Sequence, residues 1–535
     1  MPLSIVALCF TPKTTNMHYF DFHAHIILKQ LFDDVPNIDA RMSASDVNGV
    51  VRTCTELPFI IQTQIHQSQL ATFQDEVLIG AVLHSLEDKL AGEVIGLQHF
   101  LKPASRHKLS LPLLQDIVEK RFRYFSDFLM SRTLDKYLNA PLSFNIVNKQ
   151  SFDAPLPKDR VNVFFVVEGA HSLAETPTEN YDPNELLTNL DKLLEKVKIF
   201  SINPAHLQIS NLCNHAFGIQ LTHTEPFFPT GNGLTDVGRK VIQGIFDRGI
   251  GVDVKHMSYR SRLQLRQEID EGKFTNPTTI LCSHTAFTGI PFSQWPGMIT
   301  LKKPTGPVFY LELAKSMQTR NDPSRPGAPA FNSSSINLFN EEIVWIIKNG
   351  GSIGLSADRR ILGYIDKFDD RPTGITAEGT LYVDKEFFSK SEWQSLGIND
   401  QQIGVRVSED DCVTEINVDQ STPDIPSRDE YYFRHFFLQV KHYLQVCVDG
   451  GIAIDKASKH IMLGTDFDGL IDPFINMQTV EQMPLLKNYM LKHFRDYLKS
   501  LSDSSAWADQ LDVPSFVEDF FYNNGFNVVK GFFQK

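Results

Sequence analysis

Short apolar runs recur along the chain, and many of them alternate with longer segments that have helical spacing. Eight runs have the length and composition of buried strands: residues 18–25, 77–86, 161–169, 206–211, 249–256, 278–284, 351–358 and 460–466. Helical patterns lie between several of them, at residues 184–197, 235–249, 340–351 and 431–451. Strands that are apolar on both faces and alternate with helices are typical of a parallel sheet covered on both sides.

Eight such units predict a closed α/β barrel of the TIM type, (β/α)8, rather than an open sheet. The chain has 535 residues, whereas such a barrel needs roughly 250, so a single barrel domain over 1–535 requires large insertions. Two stretches can supply them: residues 287–335 are rich in Pro, Gly and Ser, and residues 364–427 are acidic and contain Pro. The second stretch is expected to form either a lid over the barrel mouth or an irregular loop.

The composition narrows the class of protein. Hydrophobic residues make up 42% and charged residues 21%, the balance of a globular chain with a sizeable core. A net charge of -13 argues against a nucleic-acid partner, because phosphate-backbone binders carry a basic surface. No apolar stretch reaches the roughly 18 residues of a membrane span, and the amino terminus lacks the basic lead of a secretory signal. The six cysteines form no C-x-x-C pair, which excludes a zinc ribbon. We therefore expect a cytoplasmic protein without a membrane partner, and homo-oligomerisation stays open.

Polar residues stand at the ends of the predicted strands. In a β/α barrel, catalytic groups gather at the carboxyl ends of the strands, so residues at these positions are expected to meet at one face. Each of them taken alone has an ordinary structural explanation, such as a buried imidazole with a partner, a helix-capping acid or a turn. Their joint occurrence at five strand ends favours a site. The residues are His23 and His25, Glu168, His256, His284 and Asp466.

The residue types suit a binuclear metal centre. His23 and His25 are two positions apart, so their side chains point to the same face and can chelate one cation. Glu168 can bridge two cations, and His256 and His284 can hold the second. Imidazole and carboxylate without thiolate suit two divalent ions, zinc or a similar metal, in a catalytic site. Such a pair activates a bridging water and polarises a carbonyl, and Asp466 would carry the proton.

Several motifs resemble, in the correct order, those of the membrane (renal) dipeptidase family, a branch of the amidohydrolase superfamily. They are DFHAH (21–25), VVEGAHSL (166–173), residues 233–258, ILCSHTA (280–286) and LGTDFDG (463–469), and residues 521–533 resemble the closing helix of the family. The resemblance implies a binuclear zinc site that hydrolyses the peptide bond of small dipeptide-like substrates. It assigns His23, His25, His256 and His284 as metal ligands, Glu168 as the bridging ligand and Asp466 as the strand-eight acid.

The sequence departs from the family in two substrate-facing positions. The family has a His at the end of strand four that stabilises charge on the carbonyl oxygen, and the run LQISNLCN places Asn211 there instead. An amide donates a hydrogen bond but lacks the positive charge, and His206, His215 and His223 are alternative candidates. The family also has an Arg after the strand-six His that holds the substrate carboxylate. Residues 284–303 contain no Arg, and Arg359 or Arg360, just past strand seven, could reach the mouth and replace it.

Three hypotheses for function follow. The first is a dipeptidase-like metal-dependent hydrolase acting on a small dipeptide-like molecule. The second is another amidohydrolase reaction, on a lactone, an N-acyl amino acid or another small amide, which the two departures favour. The third is a barrel that keeps its metals but serves as a binding protein.

Overall fold

The computed structural model describes most of the chain, and every statement below concerns these residues. The predicted insertion at 364–427 is described only over residues 383–403, and His223 lies outside the described residues. The described residues are 18–27, 76–84, 123–141, 144–176, 178–218, 227–314, 316–317, 330–363, 383–403, 428–469, 471, 473–474, 477, 480–500 and 505–535.

Eight parallel strands form a barrel in the order β1-β2-β4-β5-β6-β7-β12-β14, with β3 paired to the side of β4. The last strand returns to the first, because His25 N donates to Phe467 O at 2.8 Å and Asp466 N donates to His23 O at 3.0 Å. The predicted TIM-type barrel is confirmed. The strands are β1 Tyr19–Ala24, β2 Val77–Leu83, β3 Phe144–Ile146, β4 Val161–Val167, β5 Ile199–Ile202, β6 Gly251–Asp253, β7 Ile280–Thr285, β8 Ile299–Thr305, β9 Val308–Ala314, β10 Ser316–Met317, β11 Ala330–Phe331, β12 Ile353–Leu355, β13 Val383–Ser389 and β14 Ile461–Leu463.

Helices alternate with the barrel strands where the spacing of apolar residues predicts them. Side-chain oxygens cap several of them: Thr235 accepts from Gly238 N at 3.0 Å, and Ser258 accepts from Ser261 N at 3.2 Å. The α-helices are Asp135–Leu138, Pro183–Leu194, Asp236–Asp247, Tyr259–Asp270, Asn340–Lys348, Arg359–Leu362, Lys390–Ser395, Arg428–Asp449, Ile454–Ala457, Met483–Lys499, Ser505–Ala508, Val513–Glu518 and Asn524–Gln534, with wider turns at Tyr124–Leu134 and Asp519–Asn523 and tighter 3₁₀ turns at Lys149–Phe152, Ala170–Leu173, Phe292–Met298, Asp400–Gln402 and Val480–Gln482.

The fourth predicted strand is wrong. The strand is Ile199–Ile202, and the predicted run 206–211 is irregular chain that follows it. Pro204 has no amide hydrogen to donate, so the ladder stops before it and the chain turns out of the sheet. The shift matters for the site, because the side chains that follow this strand are those near His206 rather than Asn211.

Alternate strand positions face two different cores. One set, including Phe20, Phe22, Phe164 and Phe200, packs together inside the barrel, and the helix Asn524–Gln534 closes this cluster with Phe533. A Cβ at Gly525 would lie 2.1 Å from the Phe20 ring, so the helix approaches the strand end as closely as glycine permits. The other set packs outward against the helices. The C-terminal helix therefore seals the end of the barrel opposite the carboxyl ends of the strands.

The two predicted insertions contribute to one small antiparallel sheet. Strands β8 and β9 form a hairpin, and β13 pairs with β9 from Val383 to Ser389. The apolar face of this sheet packs on Trp295, Trp393 and Phe339. Two acids of β13 reach the loop at 333–335: Asp384 accepts from Ser333 N at 3.3 Å, and Glu386 accepts from Ser335 N at 3.0 Å. The inserted sheet is thus tied to the segment that precedes the helix Asn340–Lys348.

Within the described ranges, no helix is both long and apolar enough to cross a membrane. Cys213, Cys282 and Cys447 are free and buried.

Candidate metal centre

Five imidazoles surround the carboxylate of Glu168, which is 1% exposed at the end of β4. Both oxygens of this carboxylate have imidazole neighbours. Oε1 lies 3.4 Å from His23, 3.2 Å from His256 and 3.5 Å from His284, and Oε2 lies 3.1 Å from His25 and 3.5 Å from His206, each measured to Nε2.

The ligand atoms fall into groups that could each hold one cation. His23, His25 and Glu168 form one group, and Glu168, His206 and His256 form another; in each, the ligand atoms lie within 4.8 Å of one another. Glu168 belongs to both groups. His23, His284 and Asp466 form a third, overlapping group. Four imidazoles predicted from the sequence therefore come together around the fifth predicted ligand, Glu168.

The backbone is unusual where the chain delivers two of these residues. His256 has φ of 67° and Asp466 has φ of 60°, both in the left-handed region that non-glycine residues seldom adopt. Each such residue costs on the order of 1 kcal/mol and persists only where surrounding contacts hold it. The fold therefore retains strain at the positions that aim His256 and Asp466 into the mouth.

Ser283 orients two of the histidines from behind. Its hydroxyl lies 3.1 Å from Nδ1 of His23 and 2.9 Å from Nδ1 of His284, which leaves both Nε2 atoms directed at Glu168. Close packing fixes this serine, because a Cβ at either Gly354 or Gly464 would lie 1.8 Å from Ser283 O. Contacts of this kind set the tautomer and orientation of metal-binding imidazoles.

The electrostatics of the cluster favour added positive charge. Burial acts to raise the pKa of Glu168, but the nearby imidazoles, that of His206 foremost, outweigh it and hold the pKa well below its usual value. Burial lowers the pKa of His256 to about 3. Burial acts to lower the pKa of His25, but the carboxylates of Glu168 and Asp466 favour its charged form and raise the pKa to about 10. The carboxylates of Glu168 and Asp466 therefore favour positive charge on the groups next to them.

A divalent metal pair fits the residues present. Nε2 of His23 and Oε2 of Glu168 are buried and have no hydrogen-bond partner in the described part of the chain. Such atoms are costly to bury unless something coordinates them. Nε2 atoms of His256 and His284 lie 3.0 Å apart, which suits two ligands of one ion. Neutral imidazoles and carboxylates are the donor set of catalytic zinc and related metals.

The structure corrects the assignment of Asn211. Both polar atoms of its side-chain amide bond to the backbone of Tyr181: Oδ1 accepts from Tyr181 N at 2.9 Å, and Nδ2 donates to Tyr181 O at 3.0 Å. His206 lies at the centre instead, 3.5 Å from Glu168 and edge-on to His256. His215 bonds to Phe227 O at 3.0 Å, a structural contact. The misplacement of strand four explains the error, because the strand ends four residues before His206.

The two arginines proposed as substrate clamps lie just past β12, at the start of a short helix. The Arg360 guanidinium is paired with Asp358 at 2.6 Å, so fewer of its N–H groups are available to a substrate carboxylate. Arg359 is 6% exposed. Arg359 is therefore buried, whereas the Arg360 side chain is 44% exposed but paired with Asp358.

Sequence reasoning missed two further residues near the centre. His84 follows β2, is 7% exposed, and its ring lies edge-on to His25 with centroids 5.1 Å apart. Lys255 precedes His256, is 2% exposed, and its Nζ has no hydrogen-bond partner among the residues described. Each had a signal in the sequence: His84 ends a buried strand as the ligands do, and Lys255 is a charge within a buried strand segment.

Comparison with known proteins gives structural likeness only. No protein-family model and no curated protein matches the chain. The chain is similar to a metallopeptidase from Rhodobacter sphaeroides bound to a phosphinate mimic of the dipeptide L-Ala-D-Ala, with a TM-score of 0.49 and 11% identity over 96% of this chain and 99% of that one. It is also similar to the dipeptidase AC, a metallopeptidase of family M19, with a TM-score of 0.46 and 10% identity over 97% and 100%. An amidohydrolase from Pseudomonas aeruginosa has a TM-score of 0.38 and 10% identity over 79% and 86%.

These are the kinds of protein that the sequence motifs resemble. The activity is inferred from the side chains of the centre.

Proposed function

We propose that the chain is a metal-dependent hydrolase that cleaves an amide bond in a small dipeptide-like substrate with two divalent ions, zinc or a similar metal. The observation that carries the proposal is the placement of five imidazole Nε2 atoms within 3.5 Å of the buried Glu168 carboxylate. His23 and His25 would hold one ion, His256 and His284 the other, and Glu168 both. When bound, such a pair lowers the pKa of water and polarises a carbonyl.

We propose that Asp466 moves the proton. It lies 3.3 Å from His25 Nε2 at the end of β14, and burial raises its pKa, against the hydrogen bond from His25. A carboxyl group whose pKa is raised is a better proton acceptor at neutral pH than an ordinary one. We assign Asp466 to take a proton from the attacking water and return it to the leaving amine.

We propose that His206 stabilises the charge that develops on the carbonyl oxygen. Its side chain is 19% exposed, whereas that of His256 is 9% exposed and that of Glu168 is 2% exposed. It therefore borders the space that a substrate would occupy. An imidazole that donates to an oxyanion contributes roughly 10²–10³ in rate.

A second candidate function concerns the substrate rather than the chemistry. The segment 284–303 contains no Arg, and the Arg360 guanidinium is occupied by Asp358. Both facts favour a substrate without a free carboxylate, such as a lactone or another small amide. A panel of a dipeptide, its C-terminal amide, an N-acyl amino acid and a lactone separates the two candidates, because a free-dipeptide enzyme prefers the first over its amide.

The proposal is tested by assaying the purified protein on that panel before and after chelation and after zinc is restored. Activity should disappear with the metal and return with it. The variant His460→Gln serves as the control, because His460 bonds to Gly351 O at the other end of β14. Turnover that resists chelation, or an absence of both metal and turnover, would contradict the proposal.

The role of His206 is tested by comparing His206→Asn with Asn211→Ala. We expect His206→Asn to keep its metal and to lose about 10²–10³ in kcat. Asn211→Ala should keep kcat, because its side-chain amide bonds to the backbone of Tyr181 and, in the part of the chain that the structure describes, contacts no group of the metal centre. Loss of metal in His206→Asn would instead make His206 a ligand.

A further inference from the structure

A cleft of about 500 Å³ lies at the opposite end of the barrel from the metal centre. Its wall includes the segment before β5, the segment after β3 and the end of the C-terminal helix that seals the barrel. Volumes of this order hold small organic ligands. The cleft therefore has the size of a binding site and no part in the proposed hydrolysis.

The charged side chains that line this cleft are all positive. Four of the nine residues that line it are lysines, Lys149, Lys196, Lys198 and Lys535, and none is acidic. Within the described chain, none of the four forms an ion pair with a carboxylate. The chain as a whole carries a net charge of -13, so this concentration of unneutralised ammonium groups differs from the average of its surface.

The floor of the cleft is apolar. Val147 is 3% exposed, Val197 is 7% exposed and Phe533 is 3% exposed. Lys198 lies across the aromatic rings of the C-terminal helix: its Nζ donates to Phe532 O at 3.2 Å and sits 5.2 Å from the Phe533 ring centroid. The aliphatic stems of lysines can cover such a floor while the charged ends stay at the rim.

The lysines repel one another in the absence of an anion. Burial lowers the pKa of Lys198, and the charge of Lys149 lowers it further. An anion placed between them would remove this repulsion. A cleft that combines several cations with an apolar floor suits a ligand that has several anionic groups on an organic body.

We propose that this cleft binds a small organic anion carrying two or more phosphate or carboxylate groups, held by Lys149, Lys196 and Lys198. The ligand contacts the segments before β5 and after β3 together with the C-terminal helix. Binding therefore joins the helix to the barrel and raises thermal stability, since the site exists only in the folded state.

The test is calorimetric titration of the full-length protein with a hexose bisphosphate and, separately, with trimesate, at about 50 mM salt. The first probe represents phosphate ligands and the second carboxylate ligands. The site variant is Lys149→Gln/Lys196→Gln/Lys198→Gln. The matched control is Lys240→Gln/Lys348→Gln/Lys492→Gln, which changes the net charge equally at exposed lysines elsewhere.

We expect the wild-type protein and the control to bind at least one probe, with a rise in Tm, and the site variant to bind it at least about tenfold more weakly. The single variant Lys149→Gln should show part of the same loss if the triple variant folds poorly. No binding of either probe by the wild-type protein overturns the proposal. So does equal weakening in the two triple variants, which would show diffuse attraction to charge.

Discussion

The hydroxyl of Ser283 lies 3.1 Å from Nδ1 of His23, a residue 260 positions earlier in the chain. The same hydroxyl contacts His284, so one serine orients imidazoles assigned to two different metal ions. A hydroxyl oxygen has two lone pairs, so it can accept from the Nδ1–H of both rings. This arrangement leaves Nε2 of each ring unprotonated and able to bind a metal.

Ser283→Ala should therefore weaken metal binding without unfolding the barrel. Losses of about 10–100-fold in metal affinity are usual when such supporting contacts are removed. Metal affinity is measured by competition with a chromogenic chelator. Ser201→Ala is the control, because Ser201 is also buried in a barrel strand but its hydroxyl has no partner within the described residues. Equal metal affinity in both variants would contradict the assigned role.

Gly169 follows the bridging ligand and should not tolerate a side chain. Its φ is 78°, and a Cβ would lie 2.3 Å from the His171 ring. We expect Gly169→Ala to lose about 2–4 kcal/mol, from backbone strain and the displaced ring together. Gly272→Ala isolates the backbone effect, because Gly272 has φ of 71° with nothing within 4 Å of a Cβ. Its free energy of unfolding, measured with urea, should fall by only about 1 kcal/mol. An equally small loss in Gly169→Ala would contradict the predicted clash with the His171 ring.

The Lys255 amino group is buried and has no hydrogen-bond partner within the described residues, so replacing it should stabilise the protein. Lys255→Met should raise the free energy of unfolding by about 1–3 kcal/mol while metal content is unchanged. Lys487→Met provides the contrast, because Lys487 is also buried but pairs with Glu518 at 2.6 Å. That variant should gain nothing. A marked loss of stability in Lys255→Met would show that the ammonium is held by a strong interaction.

Glu386, which ties the inserted sheet to Ser335, should make stability depend on pH. Burial raises its pKa to about 7, although hydrogen bonds from Ser335 oppose this. Between about pH 4.5 and 7 the folded protein keeps a proton that the unfolded chain releases, so stability falls as pH rises through this range. A rise of that size corresponds to about 3 kcal/mol.

The Gln side chain in Glu386→Gln cannot release a proton, so this variant should not lose stability as pH rises through that range. Its stability relative to the wild-type protein should increase from pH 5 to pH 8, as measured by urea unfolding at each pH. Glu271→Gln, at an exposed position, should follow the wild-type profile. A constant difference between Glu386→Gln and the wild-type protein across the range would refute the prediction.

The parts of the fold that follow from local patterning could be predicted from the sequence. Strands buried on both faces appear as apolar runs, so β1, β4 and β7 were identified together with the polar residues that end them. The strand Ile199–Ile202 was missed because it is short and the run after Pro204 looks equally apolar. That single displacement moved the proposed oxyanion residue from His206 to Asn211.

Other features depend on contacts between distant segments. The hairpin β8-β9 pairs with β13 some 70 residues later, and composition alone marked both segments only as insertions. The orientation of His23 by Ser283 and the pairing of Arg360 with Asp358 likewise depend on rotamers and packing. The positions of polar residues at the strand ends predicted which residues meet. They could not predict which atoms of those residues are available to bind a metal or a substrate.

Glu168 is proposed to bind both metal ions, and elemental analysis of the purified protein tests this proposal. The wild-type protein should contain about two equivalents of divalent metal. Glu168→Gln should lose most of it, and His460→Gln should keep it. Metal near zero in the wild-type protein after reconstitution, or full metal content in Glu168→Gln, would contradict the claim.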